Sequence, residues 1–394
     1  MAPMPRLLWL LCFVNLVVGS SAFVIGGIVQ PLAKALGIGV PTAGQAMTAY
    51  ALATALLAPL VLLATGEWSR KRALMLALTL FTLGNLVCAL ATSFAMLLAG
   101  RVLMGLGAVF TPMAAGIAVA LVEPARRGQA LALTFLGMSL SYVVGVPLGA
   151  WLGAAHGWHA PLWLFTGVSA LALAALAWRV PADVRTPGAS FAGLPAVLAR
   201  RDVLAVLALT FLYFVAIFAV FSYIGPVLQA LVPMGREQQS LTLALFGVSG
   251  VAGTLLGGVA NDRFGPRRSL VVQLAVLGLT MALLPLTAGS WPLLMTTLLV
   301  WGTAGFGMMV PQQSRLAALA PSAAPMLLSL NASMLYLGTA AGAAVGGAFS
   351  AHLGFAHLGW AGVPFVAAGL AILLAGPTLS SAVSIDRTKE KPAP

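Results

Sequence analysis

Long apolar runs fill the chain almost from end to end, broken at charges, prolines and short polar clusters. The pattern marks twelve segments: 6–29, 43–64, 73–92, 95–121, 128–153, 160–178, 203–231, 240–260, 269–288, 291–314, 326–352 and 360–380. A bilayer-crossing helix needs about 20 apolar residues, and each run is of that order. The runs are continuous and do not alternate in period two, which excludes a β-barrel; only helices and closed barrels satisfy their backbone in lipid. An all-α polytopic membrane protein with twelve transmembrane helices is therefore expected. The longest polar stretch, Arg179 to Asp202, holds Pro181, Asp183, Arg185, Pro187, Gly188, Arg200 and Arg201 and reads as a linker.

The pattern also repeats. "FVIGGIVQPLAKAL" from Phe23 matches "FAVFSYIGPVLQAL" from Phe218 at an offset of 195 residues. Ser141, Gly145, Gly149 and Gly153 form a small-residue stripe spaced by four in helix five. Gly338, Gly342, Gly346 and Ser350 repeat it in helix eleven. Such faces let membrane helices pack backbone to backbone. A charged island, "GGVANDRFGPRRSL" from Gly257, has a worn copy in "LLATGEWSRKRAL" from Leu62. Two parallel six-helix pseudo-symmetric halves follow, a plan shared by one class of transporters. The expected division is 1–178 for the first half, 179–202 for a cytoplasmic linker, 203–380 for the second half and 381–394 for a cytoplasmic tail. The first segment looks like a secretory signal, but a cleaved segment has no reason to be repeated.

Composition agrees with a membrane protein. Hydrophobic residues make up 61% and charged residues 7% of the 394, against about 25% charged in a soluble domain. The net charge of +12 raises the question of a nucleic-acid partner, which the placement of the charges answers. With the N-terminus inside, one side receives Arg6, Arg70, Lys71, Arg72, Arg126, Arg127, Arg179, Arg185, Arg200, Arg201, Arg263, Arg267, Arg268, Arg315, Arg387, Lys389 and Lys391. Only Lys34 and Arg236 fall opposite, and Arg101 lies within a helix. The bias is the positive-inside rule, and it puts both termini in the cytoplasm. No nucleic-acid partner is expected. Cys12 and Cys88 lie in apolar helices and define no disulfide framework.

The island carries a resemblance. "GGVANDRFGPRR" matches the loop signature of the major facilitator superfamily at Gly258, Asp262, Arg263, Gly265, Arg267 and Arg268, and the chain resembles that family along its whole length. The first-half copy keeps Arg70, Lys71 and Arg72; Gly66 stands in the Asp position, Glu67 in the Arg position and Ser69 in the Gly position. A carboxylate at the rim can accept hydrogen bonds from a neighbouring helix terminus and from the following arginines, so Asp262 is expected to latch the halves on the cytoplasmic side. Solvated charge that sets topology is the other reading of Arg267 and Arg268. "GVPLGAWLGAAHGWHAPLWL" from Gly145 looks like the helix-five signature of the drug:proton antiporter-1 branch, in the variant of arabinose and sugar efflux permeases, with Pro147 one place from the usual Gly-Pro. The resemblance implies export across a bacterial inner membrane.

Helix four supplies Arg101 in "GRVLMGLGAVFTP". A cation inside a membrane helix costs roughly 2.5–3.5 kcal/mol on insertion scales and marks function by default. Snorkelling to the outer interface is the other reading. The resemblance links an Arg in this motif to proton coupling. All eight carboxylates fall in loops or at helix edges, and "SSAFV" puts Ala22 where many drug–proton antiporters of the branch carry an acid. This disfavours cationic drugs as cargo. His156, His159, His352 and His357 sit at outer ends without a close acid or Cys partner, so no metal site and no cofactor are expected.

The inner helices, one, four, seven and ten, with five, eight and eleven beside them, are expected to line a cavity. Asn15 and Gln30 lie on helix one, Tyr142 on helix five, and Tyr213, Phe214, Phe218 and Tyr223 on helix seven. Met308, Met309, Gln312 and Gln313 lie on helix ten, Asn331 and Tyr336 on helix eleven. Aromatics with a few neutral hydrogen-bonding groups suit a neutral or amphiphilic solute. Core packing is the other reading of each Phe and Met. An enzyme would need paired acids or a Ser–His dyad within helices, and a receptor or scaffold would need sizeable loops; the sequence has neither. The expectation is a monomeric secondary transporter that exports a small solute, by proton antiport or as an uncoupled facilitator; an importer is the runner-up.

Overall fold

The structure is a computed structural model that describes residues 5–123, 126–181, 198–319 and 324–375. Most of the expected linker and the whole 381–394 tail lie outside them. Twelve helices are long and apolar enough to cross a membrane, and the described residues contain no strand.

Helix one runs Arg6–Phe23 and continues past Val24 as Ile25–Leu36. Helices two and three are Val40–Ala64 and Arg70–Ala89. Helix four is Phe94–Gly107 with Phe110–Ala120. Helix five is Arg127–Leu140, a π turn Ser141–Gly145, and Val146–His156; helix six is His159–Arg179. In the second half, helix seven is Arg201–Phe221 with Ile224–Leu231, helix eight Arg236–Phe264, and helix nine Pro266–Leu283. Helix ten is Trp291–Gly307 with Met309–Leu319, helix eleven Ala324–Leu353, and helix twelve Gly359–Ala375.

The helices outrun the apolar segments, because Arg70, Arg127, Arg201 and Arg236 each open a helix that hydropathy alone starts later. Arg127, Arg201 and Arg236 are exposed, as a long cationic side chain that reaches the interface while its backbone stays helical would be, whereas Arg70 is buried. The largest corrections are interruptions: helices one, four, seven and ten, expected as single segments, are each broken.

The breaks have physical causes. Proline removes an N–H and clashes with the carbonyl four residues before it. Pro112 stands four after the break at Ala108, Pro226 four after Ser222, and Pro311 four after Gly307, just before the break at Met308. Helix one has no proline at that spacing. There Arg101 Nη1 donates to the carbonyls of Ser21 and Ala22, both at 3.2 Å, and a side chain entering the ladder interrupts it. The broken helices are one, four, seven and ten, the four expected innermost.

The small-residue stripes seat these helices. A Cβ at Gly342 would come within 2.6 Å of the Val215 carbonyl, and one at Gly338 within 2.5 Å of the Phe211 carbonyl, so helix eleven lies directly on helix seven. In helix five, Gly145 faces Ser20, Gly149 faces Val24 and Gly153 faces Ile28 of helix one, with Ser141 against Gly19. Pro147 is buried beside them. The halves meet along helices two with eleven and five with eight, and through the extensions of helices one and seven. Trp9, Trp68 and Trp178 are exposed at the end carrying the arginine loops (the basic end), Trp163 and Trp360 at the far end, as interfacial belts require.

Candidate functional site: the inter-half aromatic layer and a buried arginine

Rings from both halves meet where the inner helices break. Phe23 of helix one lies 5.2 Å from Tyr142 and 5.7 Å from Phe218 between ring centroids. Tyr142 is 5.7 Å from Phe221 and 4.9 Å from Phe306. Phe246 continues the layer to Phe306 at 6.0 Å and Trp301 at 5.0 Å. Tyr213, Phe214 and Phe218 run along helix seven toward the basic end. Tyr50 of helix two meets Tyr336 of helix eleven edge-on at 6.3 Å. Offset and edge-to-face pairs of this kind are each worth about 0.5–1.5 kcal/mol.

Beyond the layer, toward the far end, hydrogen bonds join the halves. The Tyr223 hydroxyl lies 3.1 Å from the Pro41 carbonyl and 3.0 Å from the Ala343 carbonyl, and it accepts from Gln45 Nε2 at 3.3 Å. Thr48 donates to the Ala340 carbonyl at 3.4 Å, and Ser240 to the Pro147 carbonyl at 3.1 Å. Gly44 and Gly347 sit against the Tyr223 ring and hydroxyl, where a Cβ has no room. Tyr223 is fully buried. The site is therefore roofed on its far side by an aromatic layer and a polar latch.

Arg101 is fully buried, so the snorkelling alternative does not hold. Besides the two carbonyls, its guanidinium lies 5.8 Å from the centre of the Tyr50 ring. Nε and the second Nη have no hydrogen-bond partner among the described residues. The carbonyl of Ala22, the residue standing in for the branch's acid, is itself one of the acceptors. Ser21 donates to Asn85 Oδ1 beside it, tying helix one to helix three.

The buried amides do other work than expected. Asn15 donates to the Thr134 carbonyl at 3.1 Å and accepts from Thr111 at 2.8 Å, clamping helices one, four and five. Gln312 donates to the Val206 carbonyl at 2.6 Å and to Thr210 at 2.8 Å, while Thr210 donates to Asn331 at 2.5 Å, clamping helices seven, ten and eleven. Asn15, Gln312 and Asn331, expected to line the cavity, thus each bond to a partner within their own half, while Gln312 Oε1 is buried with no partner among the described residues. Gln30 and Gln313 are exposed, Met308 is buried and Met309 half-buried.

The charged island also differs from expectation. Asp262 is exposed, and its carboxylate accepts from Asn261 Nδ2 at 3.2 Å, not from the following arginines. Arg267 donates to the Leu374 carbonyl at the end of helix twelve at 2.8 Å, Arg263 lies over the Phe264 ring, and Arg268 is exposed. Arg200–Asp202, at 2.7 Å, is the one ion pair among the described residues. The motif glycines divide their roles. Gly265, at φ 79 and ψ 162, is the single residue between helices eight and nine. Gly258 faces open space, and its neighbour Gly257 makes the close approach to Gly307. In the first-half copy Ser69 caps helix three by accepting from Arg72 N–H at 3.4 Å; Arg70 is buried there, Lys71 half-buried and Arg72 exposed.

Sequence reasoning omitted Tyr50, Gln45, Phe221, Phe246 and Phe306. All five tyrosines of the chain lie on helices two, five, seven and eleven at the inter-half surface, and four of them, all but Tyr50, are among the expected lining residues. Tyr50 sits in the Ala-rich "TAYALATAL", which reads as packing.

A two-half bundle with broken inner helices and a buried site at their crossing is the architecture of an alternating-access transporter. The family model described as Major Facilitator Superfamily matches residues 11–311 and 233–394, and the chain belongs to that family of transporters. It is 31% identical over 361 residues to the inner membrane transport protein YdhP of Escherichia coli strain K12, covering 91% of this chain and 92% of that one. It is 32% identical over 397 residues to a chloramphenicol resistance protein of Streptomyces lividans, covering 98% and 100%. A probable sugar efflux transporter of Mannheimia succiniciproducens is 28% identical over 354 residues, covering 89% of each. Among solved structures, a bacterial homologue of the human lysosomal transporter Spinster, inward-facing and unoccupied, has a TM-score of 0.80 at 16% identity over the full length of both chains.

Proposed function

We propose that the protein exports a small neutral or amphiphilic organic solute, in exchange for protons, across the inner membrane of a bacterium. The basic end faces the cytoplasm, residues 1–178 and 203–380 are the moving halves, and the site opens alternately to either side. The observation that carries the solute class is the lining itself: aromatic rings from helices one, five, seven, eight and ten, with no carboxylate among them. The acids of the described spans are Asp202, Glu237 and Asp262, all at helix ends. A cationic drug would find no counter-charge, whereas the rings and Tyr hydroxyls suit an amphiphile. Relatives named for sugar efflux and chloramphenicol resistance support export of such solutes.

The structure's far-side latch supports an inward-facing state, with solute loaded from the basic end. Asp262, exposed here, is then the group that closes the opposite gate when the halves rock outward.

The same absence of interior acids favours a second reading, an uncoupled facilitator, because Arg101 cannot release its proton at any working pH. Export is tested by comparing overexpressing and deletion strains for resistance and metabolite accumulation. Lower intracellular solute with higher expression is expected; accumulation that rises with expression reverses the direction.

A further inference from the structure

Helices eight, nine and ten leave a groove of about 390 Å³ on the outside of the second half, away from the aromatic layer. Its origin is steric. Gly253 and Gly257 bring helix eight onto the backbone of Thr303 and Gly307 in helix ten, while Ala260 and Ala304 are too small to fill the angle left against helix nine. Leu256, Val272, Val276, Leu299 and Val300 complete walls that are almost wholly apolar. Leu256 and Val272 are more than half exposed, so the groove opens to the hydrocarbon. Two polar side chains break the lining: Thr303, whose hydroxyl donates to the Leu299 carbonyl within helix ten, and Gln273. The Oε1 of Gln273 is buried without a donor among the described residues.

The groove points to the basic end. Arg263 follows Ala260 by three residues on helix eight, and Arg268 precedes Val272 by four on helix nine; those spacings share a helical face. Both arginines are exposed, and the one neighbouring carboxylate, Asp262, is bonded to Asn261. An apolar slot of ligand size thus ends, one or two helical turns up, beneath two cations at headgroup level. Basic pockets between membrane helices match anionic headgroups.

We propose that this groove holds one acyl chain of an anionic phospholipid, with the lipid phosphate on Arg263 and Arg268. Gln273 lies below the arginines, at the depth of the glycerol esters, where its Nε2 can donate to an ester carbonyl. A lipid seated there bridges helices eight and nine across Gly265, the one-residue joint between them. The proposal is independent of the solute, the direction of transport and the coupling.

Native mass spectrometry of the purified full-length protein tests it, with phosphatidylglycerol and phosphatidylcholine of equal chain length as probes. Charge near a membrane surface is worth about five-fold per arginine, so retention of phosphatidylglycerol is expected to exceed that of phosphatidylcholine by about 25-fold. The double variant Arg263→Gln/Arg268→Gln should erase the preference. Ala260→Phe should release the lipid while keeping both cations; Val272→Phe on the opposite wall repeats the test should the first variant fold poorly. Excess glycerol 3-phosphate should displace nothing. Equal retention of the two lipids overturns the proposal, as does phosphatidylglycerol binding that survives the filled groove or yields to glycerol 3-phosphate.

Discussion

The two halves solve one problem in different ways. Gly105-Leu-Gly107 of helix four and Gly305-Phe-Gly307 of helix ten correspond at an offset of 200 residues, which sets Arg101 opposite Trp301. Both side chains are buried. In the first half the guanidinium takes two carbonyls of helix one, and helix one breaks there. In the second half an indole packs, tilted, against Phe246 at 5.0 Å, and helix seven breaks four residues before Pro226. One hinge is held by charge and the other by covalent geometry. The first half therefore depends on a single residue in a way that the second does not.

Arg101→Met gives the largest expected effect. It leaves buried carbonyls without a donor, about 1–3 kcal/mol for each unsatisfied group, and should lower transport at least ten-fold with a clear loss of thermal stability. Arg101→Lys keeps charge but loses the planar fork, so only partial recovery is expected. Trp301→Phe, at the matching place, should retain most transport. Equal losses from both sites would break the comparison.

Next is the far-side latch. Tyr223→Phe keeps the ring and removes a hydroxyl shared by helices two, seven and eleven. Membrane hydrogen bonds average about 0.6 kcal/mol, so the closed far end should lose roughly 1–2 kcal/mol. Reaction of an Ala343→Cys reporter with a membrane-impermeant reagent should rise about ten-fold in the Tyr223→Phe background. Unchanged labelling would remove Tyr223 from the latch.

The islands provide a smaller contrast. Gly265 occupies a backbone region open essentially to glycine alone, so Gly265→Ala should cost about 1–3 kcal/mol in a thermal melt. Gly66 has no positive φ, and Gly66→Ala should cost little. The smallest effect joins the amide clamps. Thr210 and Asn15 correspond at the offset of 195 that relates helices seven and one, so Thr210→Val and Asn15→Leu should destabilise by similar amounts, about 1 kcal/mol, without changing which solute is carried. A change of solute preference in either variant would return these amides to the lining.

Much of this architecture was legible in the sequence because hydropathy and repeats are written locally. The apolar runs mark the twelve spans, and the matches at Phe23/Phe218 and in the glycine stripes mark the two halves. The breaks at Ala108, Ser222 and Met308 were equally available in Pro112, Pro226 and Pro311, but read as continuous apolar segments. The break in helix one was not available, since it depends on Arg101 arriving from 80 residues away. The same limit applies to the amides. Asn15, Gln312 and Asn331 each need a partner, and sequence alone does not say whether that partner is solute or Thr111, Thr134 and Thr210. The gating role proposed for Asp262 requires a second conformation of the halves, in which its partners differ from the Asn261 bonded to it here.

In the proposed exchange of protons for solute, Arg101 releases no proton itself and can contribute only by holding the helix-one hinge. Reconstituted vesicles with an imposed solute gradient and a pH-sensitive dye test it most directly, with wild type and Arg101→Met side by side. Proton movement opposite to solute flux is expected in the wild type, and its loss in the variant. Solute flux in the wild type with no proton movement, and no response to an imposed pH gradient, would contradict it and establish the facilitator.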